Sequence, residues 1–374
     1  MLAVTLAVFT NLAMFQALLP VQVAHSGGSK LEVGEATSFF SAATVACEVL
    51  TVFLATRIGM AYLLAAGALV IGVATLGYAM ASDSIPALLA LTAVRGGAFG
   101  VDVVTTSYLV AAYAAPSGRG RALGVYGLAV SLPATFGISL GLMIQSTLGP
   151  NLAFLLGAIP AVLAGGGFAS VIRRSPPPAV TPPRIRFGAL PPLLPVAATI
   201  VLMTMTYGVL LSFGPALVAA DGAAAAPLLF LVFGIARAIS RPVAGVLCDR
   251  LGSVPVSVAS AVLLAAGCFV LVSWTGSAAL VTAATLYGVG LGGISNAAYV
   301  AMLDRSDASS QALASATWSI AFDGGVAVGS ATFAAIAEGV GLAGAAVLLP
   351  VVAGVASAVA LGDWAFSRPR PTAN

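Results

Sequence analysis

The sequence predicts an all-α integral membrane protein with twelve transmembrane helices in two six-helix bundles. Three observations lead to this prediction. The 374-residue chain is 60% hydrophobic and only 7% charged, with a mean hydropathy of +1.08, whereas soluble domains carry about 25% charged residues. Its apolar runs are long enough to cross a bilayer and are separated by turn residues. Features of the first half also recur, in the same order, in the second half.

This composition excludes a soluble enzyme, a disordered chain and a nucleic-acid-binding protein. The fifteen Lys and Arg residues are scattered, so there is no basic stripe to follow a phosphate backbone. Cys47, Cys248 and Cys268 lie in apolar runs without CxxC spacing, and the chain has a single His. We therefore expect neither a disulfide framework nor a metal site, and no cofactor.

Twelve stretches are long and apolar enough for membrane-spanning helices, which need about 20 residues. Between the sixth and seventh stretches, residues 173–192 are rich in Pro and Arg, so they can neither continue a helix nor lie in hydrocarbon. We predict an N-terminal bundle over 1–172, a cytoplasmic linker over 173–192 and a C-terminal bundle over 193–374. The predicted spans are about 2–24, 35–55, 60–80, 86–113, 121–147, 152–172, 190–219, 224–247, 254–274, 278–303, 311–336 and 342–365.

The distribution of basic residues predicts the orientation. Cytoplasmic loops of membrane proteins carry an excess of Lys and Arg. If the N-terminus is cytoplasmic, eleven arginines lie inside and Lys30 alone lies outside. We therefore expect a multi-pass protein of the inner (plasma) membrane with both termini in the cytoplasm. The eleven are Arg57, Arg119, Arg121, Arg173, Arg174, Arg184, Arg186, Arg250, Arg305, Arg368 and Arg370.

The two halves repeat each other at a slowly drifting offset of 190 to 195 residues. Because each half has an even number of spans, both halves enter the membrane from the same side. An axis along the membrane normal then relates them. The matched features are Pro20 and Gly27 with Pro215 and Gly222, Arg57 and Gly59 with Arg250 and Gly252, Gly96-xxx-Gly100 with Gly288-xxx-Gly292, and Ala122-Leu123 with Ala312-Leu313.

The segment GVLCDRLG at 245–252 resembles the loop signature of the major facilitator superfamily. It matches at Gly245, Leu247, Asp249, Arg250 and Gly252, although the usual basic residues do not follow. The resemblance implies gating residues here. Asp249 would cap the positive end of the fifth helix and hold the cytoplasmic side shut.

The first-half copy of this signature, FLATRIGM at 53–60, keeps Arg57 and Gly59 but has Thr56 where the family has Asp. In the family the stronger copy usually lies in the first half, so this chain reverses the pattern. Two further elements agree with the family. Leu91-xxx-Arg95 resembles its fourth-helix motif, and the fifth span carries a partial match to the Gly/Pro motif of proton-driven exporters.

That partial match consists of Pro133, Gly137 and Gly141, which are four apart and therefore lie on one helix face. Small residues let a neighbouring helix approach closely. The stripe could therefore act in gating, as a surface on which two helices rock, or it could serve plain helix packing.

Six charged residues lie within predicted spans: Glu48, Arg95, Asp102, Arg237, Arg241 and Asp323. Charges inside a membrane are usually paired or line a watery cavity. Counting about 1.5 Å per residue from the cytoplasmic helix ends places the other five, without Arg95, about 12–18 Å deep. We expect Asp102, Glu48 and Asp323 to couple transport to protons, and the arginines to bind substrate.

The pairing of these charges is open to two readings. Arg95 and Asp102 are seven residues apart and lean away from each other, so a direct salt bridge between them is not expected. Arg237 and Arg241 are one turn apart and repel each other, which favours a substrate bearing an acidic group. Alternatively, Arg241 reaches toward Asp249 and Arg237 pairs with Asp323 as a structural bridge.

Polar and aromatic residues inside the spans are further candidates for substrate contact. A polar residue deep in a span usually points inward, although each could equally serve helix–helix hydrogen bonding. The predicted contacts are Tyr108, Tyr126, Tyr207, Asn296 and Trp318, with Asn11 and Gln16 as additional cavity residues.

The resemblance implies a secondary active transporter that works by alternating access, and not an enzyme. We expect proton-coupled export of a small organic solute, acidic or zwitterionic, by a monomer in the lipid bilayer. No GxxxxGK[ST] nucleotide loop is present to drive transport otherwise. The alternatives are an importer of a small anionic solute by proton symport and, from another class, a non-transporting receptor or scaffold.

Overall fold

The computed structural model describes residues 1–81, 84–113, 119–174, 190–307 and 310–367, without the side chains of 52, 56, 107, 108, 110–128, 311, 312, 366 and 367. In this part of the chain twelve long helices form and no strand occurs. The helices are α1 (Leu2–His25), α2 (Lys30–Ile58), α3 (Met60–Met80), α4 (Ile85–Tyr113), α5 (Arg119–Leu148), α6 (Pro150–Arg174), α7 (Leu194–Leu217), α8 (Ala225–Leu251), α9 (Ser253–Ser273), α10 (Ser277–Asp304), α11 (Gln311–Ala346) and α12 (Leu348–Ser367).

The helices agree with the predicted spans. Eleven of them have the length and hydropathy of membrane-spanning helices within the residues described. The twelfth, α2, is 29 residues long and packs against α4 and α11. The predicted linker is only partly covered, since residues 175–189 lie outside the described ranges.

The same packing scheme occurs in both halves, as the repeat predicts. In the first half α1 packs on α5, α2 on α4, and α3 on α4 and α6; in the second, α7 packs on α11, α8 on α10, and α9 on α10 and α12. Between the halves α2 packs on α11 and α8 packs on α5. A pseudo-twofold axis exchanges these two seams, so they lie on opposite sides of the interface.

Glycines turn the chain at equivalent helix junctions. Gly59 (φ 91°) and Gly252 (φ 87°) join α2 to α3 and α8 to α9. Gly149 (φ 86°) precedes α6, and Gly341 (φ 79°) interrupts α11 at the matching place. These positive φ angles are accessible to glycine without a steric penalty. The prediction of separate spans at 311–336 and 342–365 therefore locates the break correctly, although α11 resumes as a helix immediately after it.

The repeated Gly-xxx-Gly pairs bring helices into close contact. A Cβ at Gly96 would collide with the Phe40 carbonyl on α2, and one at Gly288 would approach the Phe233 carbonyl on α8. The pairs therefore perform the same task in both halves, packing α4 on α2 and α10 on α8. We call the side that carries the start of α1 and the end of α12 the terminal face, and the opposite side the far face.

Candidate substrate site between the two halves

The α2–α11 seam is closed toward the far face. Ser38 Oγ donates to the Ala327 carbonyl at 2.9 Å, and Ser330 Oγ donates to the Gly34 carbonyl at 2.9 Å. A Cβ at Gly34 would collide with the side chain of Ala334. Glycine and small side chains thus let the two halves touch backbone to backbone.

The α5–α8 seam is closed at an equivalent depth. Ser139 Oγ donates to the Pro227 carbonyl at 2.8 Å. A Cβ at Gly234 on α8 would collide with the Thr135 carbonyl on α5. We call the contact of Gly34, Ser38, Ala327, Ser330 and Ala334 the α2–α11 seal, and the contact of Thr135, Ser139, Pro227 and Gly234 the α5–α8 seal. The pseudo-twofold axis relates the two seals, and in each a glycine of one half packs closely against the other half.

The outermost contacts pair helix ends with charged side chains. Glu338 Oε1 accepts from the backbone N–H of Leu31 at 3.0 Å, at the positive end of α2. Lys30 Nζ donates to the Ala337 carbonyl at 2.9 Å. Within the described residues, the hydrogen bonds between the two halves lie at mid-depth or toward the far face. They hold the interface closed at the far face.

Two carboxyl groups lie on the terminal-face side of the α2–α11 seal, and Glu48 is the more distant, ten residues or about 15 Å along α2 from Ser38. Asp323 is one turn, about 6 Å, closer to the terminal face than Ala327. Glu48 on α2 is 6% exposed, and neither of its carboxyl oxygens has a hydrogen-bond partner among the described residues. Its charge interacts unfavourably with that of Asp323. An acidic pair therefore spans this seam.

Two guanidinium groups lie just beneath the α5–α8 seal. Arg237 follows Gly234 by three residues, and Arg241 lies one turn further toward the terminal face. Because they lie one turn apart on α8, their positive charges repel each other. The pseudo-twofold interface thus has an acidic seam on one side and a basic seam on the other.

Aromatic rings surround Arg237. Its guanidinium carbon lies 5.3 Å from the Tyr207 ring centroid and 5.9 Å from those of Phe233 and Phe322, within the range of cation–π attraction. Nη1 donates to the Tyr207 hydroxyl at 3.3 Å, and that hydroxyl donates to Gln16 Oε1 at 3.3 Å. This chain of contacts joins the halves at mid-depth.

The alternative pairing of the charges is not realised. Within the described residues the only ion pair joins Arg305 to Asp363, at 2.6 Å near the terminal face. Arg237 therefore makes no bridge to Asp323, and Arg241 makes none to Asp249. The cations and anions beneath the two seals remain apart.

Arg95 belongs to a polar network inside the first bundle. It is 2% exposed, its Nε donates to Asn11 Oδ1 at 2.9 Å, and Asn11 donates to Thr75 at 2.9 Å. The guanidinium also lies over the rings of Phe15 and Phe40. Within the described residues no ion pair joins Arg95 to Asp102. These contacts all come from α1, α2 and α3.

A matching network occupies the second bundle. Thr206 bonds to the hydroxyl of Tyr287 at 2.9 Å and also contacts Cys268. Offsets of 192 to 195 residues relate these three to Arg95, Asn11 and Thr75 of the first half. The Arg95 network is thus one copy of a repeated interhelical connection, and the predicted contact of Arg95 with substrate stays a prediction.

Asp102 packs against α3. It is 2% exposed, and neither carboxyl oxygen has a partner among the described residues. A Cβ at Gly67 would collide with this carboxyl group. Asp102 therefore lies within the first bundle, on a different side of it from Glu48.

Gly67→Ala should lower the thermal stability of the purified protein, since overpacking costs about 1–3 kcal/mol. Gly67→Ala/Asp102→Ala should recover part of the loss, because removal of the carboxyl group makes room for the new methyl group. Gly167→Ala is the control, as a Cβ there meets no atom within 4 Å. Additive effects of the two substitutions in thermal unfolding would contradict this contact.

Two of the other predicted contact residues join helices within the second bundle. Trp318 stacks on Phe322, with 5.3 Å between ring centroids, and donates from Nε1 to the Ser295 carbonyl at 3.1 Å. Asn296 donates to the Arg241 carbonyl at 2.8 Å and so joins α10 to α8. The side chains of Tyr108 and Tyr126 lie outside the described residues.

The predicted gating loop lies at the terminal face. Asp249 and Arg250 are exposed in the last turn of α8, and Gly252 makes the turn into α9. Gly245 faces the side-chain amide of Asn296. The predicted partner of Asp249 is the first turn of α5, near Arg121, whose side chains lie outside the described residues.

The Pro/Gly stripe of α5 packs against α1. Pro133 is buried, a Cβ at Gly137 would collide with Ala13, and one at Gly141 would collide with the Met14 carbonyl. Gly325 and Gly329 pack α11 on α7 in the same way. The glycines therefore serve contacts within each half; at the offset of 192 residues Gly329 corresponds to Gly137, and Gly325 stands at the position of Pro133. Their gating role stays a prediction.

Comparisons with known proteins agree with this architecture. The family model described as the Major Facilitator Superfamily matches residues 1–221 and 196–374. No curated protein matches the chain. A bacterial homologue of the human lysosomal transporter Spinster, in an inward-facing and occupied conformation, superposes with a TM-score of 0.77 at 14% identity, covering 99% of this chain and 97% of that one.

The nucleoside transporter NupG superposes with a TM-score of 0.75 at 12% identity, covering 98% of this chain and 99% of the other. At such identities the structural likeness concerns the fold. Because the family model matches both halves, together covering the whole length, the chain belongs to the major facilitator superfamily.

Proposed function

We propose that the protein is a secondary active transporter that exports a small acidic or zwitterionic organic solute in exchange for protons. One observation carries the proposal. Opposite charges lie just beneath the two seals of the interface, where a solute entering from the terminal face would meet them. Membrane-embedded charges without partners usually mark substrate or ion pathways.

The arrangement of the seals supports alternating access. Contacts between the halves hold the far side shut, while Asp249 is exposed at the terminal face. With both termini in the cytoplasm, this conformation is closed to the outside. Rocking of the halves about the interface would break the glycine seals and let Asp249 reach the first turn of α5.

The acidic pair is our candidate for proton coupling. Two carboxylates on opposite sides of a seam repel each other, and this repulsion is lost when one of them takes up a proton. Because Glu48 and Asp323 belong to different halves, their protonation acts directly on the seam between α2 and α11. Asp102 packs against α3 and is the less favoured candidate.

The direct test uses everted membrane vesicles from cells that produce the protein, energised so that their interior is acidic. A panel of labelled amino acids and small carboxylic acids is offered from outside. We expect at least one of them to accumulate above vesicles from cells without the protein, and a protonophore to abolish this accumulation. Failure of every solute with folded protein present would contradict the proposal.

Asp249→Asn should slow transport several-fold and leave the affinity for the solute within a few-fold of the wild type. The reason is that a latch stabilises one conformation without touching the ligand. Transport rate and equilibrium binding of the purified protein are measured side by side. Loss of binding with an unchanged rate of conformational exchange would instead place Asp249 in the binding site.

The proposed orientation predicts which loops a membrane-impermeant thiol reagent reaches. In a background without the native cysteines, Thr275→Cys should be labelled in intact cells, since Thr275 is exposed between α9 and α10 at the far face. A cysteine in place of Val180 in the linker should be labelled only after permeabilisation. The reverse pattern would invert the topology.

A further inference from the structure

We infer that the site selects zwitterionic solutes. Asp323 holds the cationic end, with Glu48 further toward the terminal face, and Arg237 holds the anionic end, with Arg241 one turn further toward the terminal face. This inference rests on the proposed function, because it assumes that the seams beneath the seals form the solute site. It adds the substrate class and the orientation in which the solute is held.

The acidic side lacks a protein cation. Glu48 is buried, both of its carboxyl oxygens lack a hydrogen-bond partner among the described residues, and the charged group that acts on it across the seam is another acid, Asp323. Neither forms an ion pair within the described residues. Burial of like charges without a counter-charge is costly. A solute bearing an ammonium group would relieve this cost directly.

The basic side lacks a protein anion. The side chain of Arg237 has one hydrogen bond within the described residues, a long one of 3.3 Å to the neutral hydroxyl of Tyr207, and its Nε is buried without a partner there. Arg241 adds a second positive charge one turn away. Arginine binds carboxylates through paired N–H donors, so the unused donors favour a carboxylate.

The two sides are separate but belong to one site. The Tyr207 hydroxyl accepts a hydrogen bond from Arg237, and its ring centroid lies 6.1 Å from that of Phe322, the residue before Asp323. Arg237 and Asp323 form no ion pair within the described residues. The pseudo-twofold axis places their seams on opposite sides of the interface. A monoanion would satisfy only Arg237, and a monocation only Asp323, whereas a zwitterion matches both sides without adding net charge.

The wall beside Asp323 suits an apolar or aromatic body. Trp318 and Phe322 lie one turn apart on α11 and stack with an interplanar angle of 27°. Both are partly exposed, and Phe322 directly precedes Asp323. The Phe322 ring centroid also lies 5.9 Å from the guanidinium carbon of Arg237, so a solute held between Asp323 and Arg237 would lie next to this ring.

The experiment compares matched probes on the purified full-length protein at neutral pH. The probes are phenylalanine, 3-phenylpropanoate, which lacks the amine, and 2-phenylethylamine, which lacks the carboxylate. A second set uses leucine, 4-methylpentanoate and isopentylamine. Apparent affinity is taken from the shift in thermal unfolding as each probe is titrated.

We expect at least one zwitterion to bind about tenfold more tightly than either of its single-charge analogues, since truncating one partner of a buried charge pair is costly. Asp323→Asn should remove the preference for the zwitterion over its carboxylate analogue. Arg237→Gln should remove the preference for the zwitterion over its amine analogue. Arg173→Gln, an exposed arginine at the end of α6, is the control and should keep both preferences.

The ranking on the wild-type protein decides the inference even where a variant fails to fold. A single-charge analogue that binds as tightly as its zwitterion, or no binding by either zwitterion, would overturn it. The outcome is independent of the vesicle assay. If a zwitterion binds but does not accumulate in the vesicles, transport is refuted and the substrate class stands. If only monoanions accumulate, transport stands and the substrate class is refuted.

Discussion

Glu48→Gln should reduce transport driven by a pH gradient to near the level of vesicles without the protein, because glutamine cannot take up the proton that couples the gradient to the solute. Exchange of solute across the membrane at equal pH should stay within a few-fold of the wild type. The reason is that Asp323 and Arg237 still hold the solute, while the group that takes up the proton has gone.

Asp102→Asn is the matched control for this prediction. Asp102 is as deeply buried as Glu48 and also lacks hydrogen-bond partners among the described residues. It faces Gly67 of α3, however, and not the other half. Vesicles with each variant are assayed for gradient-driven uptake and for exchange. Loss of gradient-driven uptake in Asp102→Asn but not in Glu48→Gln would place coupling inside the first bundle.

The positions of these two carboxylates show where sequence reasoning reached its limit. Helix counting placed Glu48 and Asp102 at similar depths, about 12–16 Å from the cytoplasm. It gave no information about which neighbouring helix each side chain faces, because that depends on packing. In the structure Gly67 lies opposite the Asp102 carboxyl group and shows that this side chain faces α3. A single sequence does not show that residues 67 and 102 are in contact.

The fold, in contrast, could be predicted almost completely. Apolar length, positive-inside bias and the repeated glycines depend on local chemistry and on the bilayer. They gave twelve spans and the internal duplication. The Gly149 and Gly341 pair was missed because no neighbouring residue repeats with it, although its offset of 192 residues falls within the range of the other matches.

The site was predicted only in part. Arg237, Arg241, Asp323 and Glu48 were identified as charges within spans, and the structure places the two arginines one turn apart on α8. Their separation into an acidic and a basic seam was not foreseen, since it depends on which helices meet across the interface. The seal residues were missed because Ser, Gly and Thr are common in such spans.

Gly34→Val should prevent closure of the far side and trap the transporter in states open to it. A Cβ at Gly34 would already collide with Ala334 on α11 and approach the Ser330 carbonyl. A branched side chain requires the helices to separate further, and the packed seam offers no space. The Ser330 to Gly34 hydrogen bond would then be lost as well.

The measurement is the rate at which a membrane-impermeant maleimide labels Ser212→Cys from the far side, in a background without the native cysteines. Ser212 is 3% exposed and bonds to Thr37 and Ser330 within the seal. We expect labelling to accelerate by about tenfold or more, the effect of about 1.4 kcal/mol on the population of the closed state.

Gly354→Val is the control, because a Cβ at Gly354 on α12 meets no atom within 4 Å. It should leave both labelling and transport near the wild type. In Gly34→Val, gradient-driven transport should fall together with the faster labelling, since a transporter that cannot close one side cannot complete its cycle. A folded Gly34→Val variant that is labelled as slowly as the wild type would mean that the α2–α11 contact does not form the gate on the far side.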